Sequence, residues 1–151
     1  MRTLNEWFGE YGESHRNPTN KLIHWICVPA IVFSVIGMLA TIPFPASVPF
    51  LNWGTVVVVL SLLFYARLSF MMMLGMVAYG AIALLLVEAI AGAGLPVFWT
   101  SLAVFVVAWI GQFIGHHIEG KKPSFFKDIQ FLLIGPAWVI GFLFRKLGIK
   151  Y

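Results

Sequence analysis

Charge is scarce in this sequence. Of its 151 residues only 11% are Asp, Glu, Lys or Arg, less than half the roughly 25% share of a soluble domain. Apolar residues make up 60%, and the mean hydropathy is +0.90. That balance excludes both an ordinary soluble protein and a disordered chain. Cysteine is nearly absent too. The one thiol, Cys27, excludes an internal disulfide, a cysteine-based zinc site and an iron–sulfur cluster. There is no glycine-rich phosphate loop, no nucleophile elbow and no nucleic-acid module. Histidine is sparse as well, with four residues. A membrane di-iron oxygenase needs about twice as many, in HxxHH-type clusters, whereas four imidazoles are the natural capacity of a single metal.

What is present is long apolar runs. They predict an all-α integral membrane protein with a single membrane domain over 1–151. An interfacial segment covers 1–17. Four transmembrane helices follow at about 22–42, 48–66, 68–90 and 98–117, and a broken hydrophobic hairpin lies at 129–144. In the first segment Thr3 and Glu6 form a capping box, and Leu4, Trp7, Phe8 and Tyr11 make one helical stripe. An amphipathic helix on the membrane surface is the expected result. Its acids, Glu6, Glu10 and Glu13, and its lack of a continuous apolar run do not fit a signal peptide. Asn17 caps the next helix, with Pro18 at its first position. The last apolar stretch is short and interrupted by Gly135-Pro136, which predicts two half-helices that enter and leave on one side. Gly111 and Gly115 form a small-xxx-small pattern that admits a close helical neighbour, in this chain or in an oligomer.

The basic residues set the orientation. Arg2, Arg16, Lys21, Arg67, Lys121, Lys122, Lys127, Arg145, Lys146 and Lys150 all fall on one face if four spans are followed by a re-entrant hairpin. The positive-inside rule makes that face, and both termini, cytoplasmic. The host is a bacterial inner membrane, or the endoplasmic reticulum in a eukaryote. Glu88 lies near the opposite end of the third span, far from any other functional candidate.

The same topology collects His15, His24, His116 and His117 at the cytoplasmic ends of the spans. Imidazole is the commonest nitrogen ligand for iron, zinc and copper. Asn20 precedes His24 by one helical turn, and Gln112 and Glu119 flank His116. These polar neighbours are suited to orienting ligands from the second layer. His116 and His117 point about 100° apart on a helix, so both can reach one metal only if the helix ends or bends there. His15 must fold back at the Asn17-Pro18 break to join the others. The bland alternative for each histidine is contact with headgroups and water. A membrane metal- or haem-binding protein without oxygenase activity, and a lipid-sensing protein without metal, also remain open at this point.

Two segments carry a resemblance: YGESHRNPTNKLIHWICVP over 11–29, and QFIGHHIEGKKP over 112–123, with Pro136 beyond. They are similar to the membrane 2-hydroxy fatty acid dioxygenase family. The resemblance implies Fe(II)-dependent α-oxidation, an oxidoreductase of lipid metabolism that shortens a 2-hydroxy fatty acid by one carbon with O2. R-CH(OH)-COOH + O2 → R-COOH + CO2 + H2O balances without a reductant, so no nicotinamide, flavin or 2-oxoglutarate is implied. Zinc or another divalent metal can substitute at such a site. Carried onto this chain, the motif histidines are His15, His24 and His116, as catalytic residues and metal ligands. His117 is the less secure ligand, since the family does not require histidine there. Arg16, Lys21, Lys121 and Lys122 lie on the correct face to attract the substrate carboxylate. Phe113, Trp25 and Met71–Met73 are the expected lining for the acyl tail between the spans. Membrane lipids are the other expected partners, and nucleic acid is not one.

Overall fold

The computed structural model describes residues 2–45, 48, 50–122 and 131–151, and these form an all-helical bundle. The helices are α1 (Leu4–Gly12), α2 (Pro18–Ala40), α3 (Trp53–Leu68), α4 (Phe70–Gly92), α5 (Val97–Glu119) and α6 (Phe131–Lys146). Three of them, α2, α4 and α5, are 23 residues each and apolar enough to cross a membrane. The fourth expected span, α3, is a shorter apolar helix of 16 residues. The outward faces carry Leu60, Leu63, Leu85, Trp99 and Val107, all more exposed than buried, as a lipid-facing surface requires.

Local signals in the sequence set several helix ends. Thr3 Oγ1 accepts from the Glu6 backbone N–H, and the Glu6 carboxylate accepts from the Thr3 N–H at 2.6 Å. Asn17 Oδ1 accepts from the backbone N–H groups of Thr19 and Asn20, and Pro18 opens α2. Ser69 ends α3 and caps α4, so the turn at Arg67 spends no extra residue. Gly120 closes α5 in the left-handed conformation (φ +71°) that a side chain resists.

The bundle is built around the antiparallel pair α2–α5. Gly115 faces Asn20, Gly111 faces Cys27, and Gly37 faces Ser101. The small-xxx-small pattern thus serves contact within the chain. A Cβ at Gly115 would sit 2.4 Å from Asn20 Oδ1, inside any tolerable contact. Gly115→Ala is therefore expected to destabilise the detergent-solubilised protein by about 1–3 kcal/mol, the usual cost of overpacking. An unchanged unfolding transition would contradict this packing.

Two expectations need correction. The stripe Leu4, Trp7, Phe8 and Tyr11 is buried, but its partner is protein rather than lipid. Trp7 and Tyr11 pack on Phe131, Tyr11 also packs on Trp138, and Phe8 lies against Gly141. Nor does the Gly135-Pro136 step divide the last apolar stretch into two half-helices. The described part, Phe131–Lys146, is one helix with Pro136 inside it, and residues 129 and 130 lie outside the described residues. Proline in a helix costs about 3 kcal/mol. Here seven residues of α6, including Phe131, Ile134 and Trp138, are buried against its neighbours, and that burial outweighs the lost hydrogen bond. The contacts of α6 fall toward one end of the long helices. Gly135 meets Val28 and Phe142 meets Trp25 on α2, the Tyr65 hydroxyl of α3 donates to the Leu133 carbonyl, and Gly75 of α4 faces Ile140 and Phe144.

Candidate metal centre

Three histidines from three parts of the chain meet beneath α1. His15 sits on the turn between α1 and α2, His24 in the second turn of α2, and His116 near the end of α5. All three are buried, with exposures of 1%, 1% and 4%. One ring nitrogen from each can be chosen so that all lie within 4.8 Å of one another. His24 Nε2 and His116 Nε2 are 3.1 Å apart.

For two of the rings the backbone decides which nitrogen faces the centre. His15 Nδ1 lies 2.6 Å from the carbonyl oxygen of Tyr11, and His24 Nδ1 lies 3.0 Å from that of Asn20. A carbonyl can only accept, so both Nδ1 atoms carry the proton, and both Nε2 atoms keep a free lone pair. In each case the acceptor is four residues earlier, one helical turn behind the ring. The Tyr11 ring stacks on His15 at 4.2 Å and fixes its plane. Burial pushes the His15 imidazole down to about 4, against a smaller upward pull from the Tyr11 carbonyl, so it is neutral at pH 7. His15 Nε2 and His116 Nδ1 are buried without a hydrogen-bond partner. Three buried imidazoles with one nitrogen each at this distance suit a transition-metal cation, and imidazole donors favour iron, zinc, copper or nickel.

Glu119 fastens the turn that carries His15. Its carboxylate accepts from the backbone N–H of Arg16 at 2.8 Å, the backbone N–H of Asn17 at 2.9 Å and Asn20 Nδ2 at 3.0 Å. Asn20 Nδ2 also reaches the Ser14 carbonyl, at 3.2 Å. The end of α5 is thereby tied to the His15 turn and to α2.

The remaining sequence candidates are placed as follows. His117 is exposed and stands apart from the cluster of three. His117→Ala is expected to leave metal content unchanged and stability within about 0.5 kcal/mol, as for an ordinary surface position; loss of metal in that variant would bring it back as a ligand. Arg16, Lys121 and Lys122 are exposed and Lys21 is half-buried. Lys121 Nζ donates to the Glu13 carbonyl at 2.8 Å. Gln112 is 5% exposed, and its amide nitrogen has no partner.

Gln112, His24 and His116 lie at one end of a partly open cavity of about 280 Å³ between the helices, which Tyr11 of α1 also lines. Its wall is mostly apolar, aliphatic along α2 and partly aromatic elsewhere. Phe113, Trp25 and Met71–Met73 are not part of that wall; Phe113 and Met71 point outward, and Trp25 packs on Phe142. Val28, Ile31, Val32 and Val35 take their place, because they share the His24 face of α2.

The family described as "Mpo1-like: 2-hydroxy-palmitic acid dioxygenase Mpo1-like" matches the chain over residues 1–147. The chain belongs to the Mpo1-like family. A relative in Saccharomyces cerevisiae, "2-hydroxy-palmitic acid dioxygenase MPO1", is 33% identical over 148 residues, covering 96% of this chain and 82% of its own length. No solved structure matches the chain. The Mpo1-like match takes in the three clustered histidines, Glu119 and the whole cavity wall. Tyr11 and Trp138 neighbour the histidine cluster, although the sequence does not assign them to it. The signal for Tyr11 was its place one turn before His15, the same step that separates Asn20 from His24.

Proposed function

We propose that this chain is a 2-hydroxy fatty acid dioxygenase that catalyses Fe(II)-dependent α-oxidation to the one-carbon-shorter acid. The observation that carries the reading is a cluster of three buried imidazoles, two of which, His24 and His116, line the polar end of an apolar cavity. The yeast relative, named for 2-hydroxy-palmitic acid, supports the substrate class.

His15, His24 and His116 would hold the iron. Bound iron supplies the redox chemistry by which O2 reacts with a 2-hydroxy acid. The protein's own part is positioning. The Tyr11 and Asn20 carbonyls hold two rings with Nε2 inward. Glu119 holds the His15 turn closed over the centre. The cavity wall keeps water from the acyl chain, and the Gln112 amide offers N–H donors to the carboxylate or hydroxyl of the substrate. A haem ligated by two histidines fits less well, since His24 and His116 touch nitrogen to nitrogen with His15 against both.

In this reading α2 to α5 are the four spans. The histidine end, where α1 and α6 pack and where Arg16, Arg67 and Lys121 lie, is the cytoplasmic face. With α6 packed at that end and not counted as a span, both termini would share it.

The deciding experiment is metal analysis of the detergent-purified chain, followed by anaerobic Fe(II) loading and an assay on 2-hydroxypalmitate with O2. About one metal per chain and iron-dependent release of the one-carbon-shorter acid are expected. A chain that takes up no metal after loading would overturn the proposal.

A further inference from the structure

The cavity has a direction. On α2 its wall runs from His24 through Val28, Val32 and Val35 to Ile36. The twelve steps from His24 to Ile36 cover roughly 18 Å at about 1.5 Å per residue. Three hydroxyls along the wall are already engaged within the protein. Tyr65 donates to the Leu133 carbonyl, Tyr79 to the Pro29 carbonyl and Ser61 to the Val58 carbonyl. The Gln112 amide nitrogen, at the histidine end, is buried and unpartnered. A ligand here therefore meets open hydrogen-bond donors at one end and hydrocarbon along its length.

The far end abuts packed side chains. Ile36, Ala83 and Val87 form a second buried cluster, and Val32, Val58 and Tyr79 pack against it while also lining the cavity. Val58 sits on Gly80, where a Cβ would come within 2.7 Å of its methyl group. The backbone of α4 thus backs Val58, and the valine cannot retreat from a growing chain.

We propose that this cavity seats the acyl chain with its carboxylate at Gln112 and the histidines, and that Val58 is the stop that sets the longest chain accepted. The inference rests on the function proposed above, and it names the determinant of substrate length at that site. A saturated chain matches the wall, because it has no polar atom to leave unsatisfied beside the valines.

The test uses Val58→Phe and Val58→Ala in the full chain, loaded with Fe(II), on a homologous series of saturated 2-hydroxy acids. Phenylalanine should lower the ratio of long-chain to short-chain kcat/KM at least about tenfold, the discrimination that a methylene or two commands in an apolar pocket. Alanine should shift the preferred length upward. If Val58→Phe fails to fold, Val58→Ala alone decides. Gln112→Leu should instead weaken every length alike. A second readout needs neither iron nor turnover: competition of unhydroxylated saturated fatty acids against a fluorescent fatty acid on the metal-free protein, where the same shifts in preferred length are expected. An unmoved length profile in both readouts overturns the proposal. Shifted binding in a protein that never turns over a 2-hydroxy acid would leave the stop at Val58 standing and remove the dioxygenase reading.

Discussion

Replacing His24 or His116 by alanine is expected to eliminate both metal retention and oxidation of 2-hydroxy fatty acids while the bundle stays folded. Loss of an outer partner of a metal ligand typically costs about 10–100-fold in affinity or activity. Loss of one of three direct ligands has to exceed that, so bound metal should fall from about one per chain to background. The fold should survive because its apolar packing is built elsewhere, from the α1–α6 cluster around Trp7, Phe131 and Trp138 and from the α2–α5 contacts at Gly111 and Gly37. The two rings are crowded, with centroids 4.7 Å apart, so truncating one relieves as much as it exposes. The metal-free variants should unfold within about 1–3 kcal/mol of the parent, an ordinary point-mutant change. Metal analysis, helical circular dichroism and turnover on the same preparations check all three statements. Full metal content and normal turnover in either variant would remove the histidine cluster from the mechanism.

Helix-forming periodicity, caps and long apolar runs were legible because each depends on residues close in the chain. The Thr3 capping box, the Asn17-Pro18 start of α2 and the stripe from Leu4 to Tyr11 all appear in the structure as local chemistry dictates. The meeting of His15, His24 and His116 could be anticipated from membrane depth, since topology sorts residues by depth before any packing is known. What covers a face is not local information. A stripe such as Leu4, Trp7, Phe8 and Tyr11 looks the same whether lipid or Phe131 and Trp138 will cover it. The helix through Pro136 was illegible for a related reason, because the burial that sustains it comes from α1, α2 and α4. The cavity wall does not include Phe113, Trp25 or Met71–Met73, because side-chain size says nothing about which way α5 and α4 are rotated. The wall follows instead from the His24 face of α2.

Glu119 provides the second large effect, and it separates fastening from ligation. Its carboxylate is an acceptor for three donors, two of them backbone N–H groups of the turn that carries His15. Glu119→Ala leaves those donors without a protein acceptor. Hydrogen bonds to a charged group contribute about 1.5–3 kcal/mol each when sheltered. Glu119 is half-exposed and water can replace part of the loss, so a net destabilisation of about 2 kcal/mol is expected. The larger consequence is for His15. Freed from the end of α5, its turn can lift, and the third imidazole is no longer held beside His24 and His116. Metal affinity should drop about 10–100-fold, the range for a lost outer partner, without falling to the background expected for a lost ligand. Glu119→Gln keeps one acceptor oxygen and replaces the other by an NH2 group, which cannot accept from the donor it would face, so it should recover part of both effects. Metal titration and unfolding of the two variants test this together. A loss of stability with metal affinity unchanged would make Glu119 a brace of the bundle alone. Loss of metal in Glu119→Ala as complete as in His24→Ala would make its carboxylate a ligand.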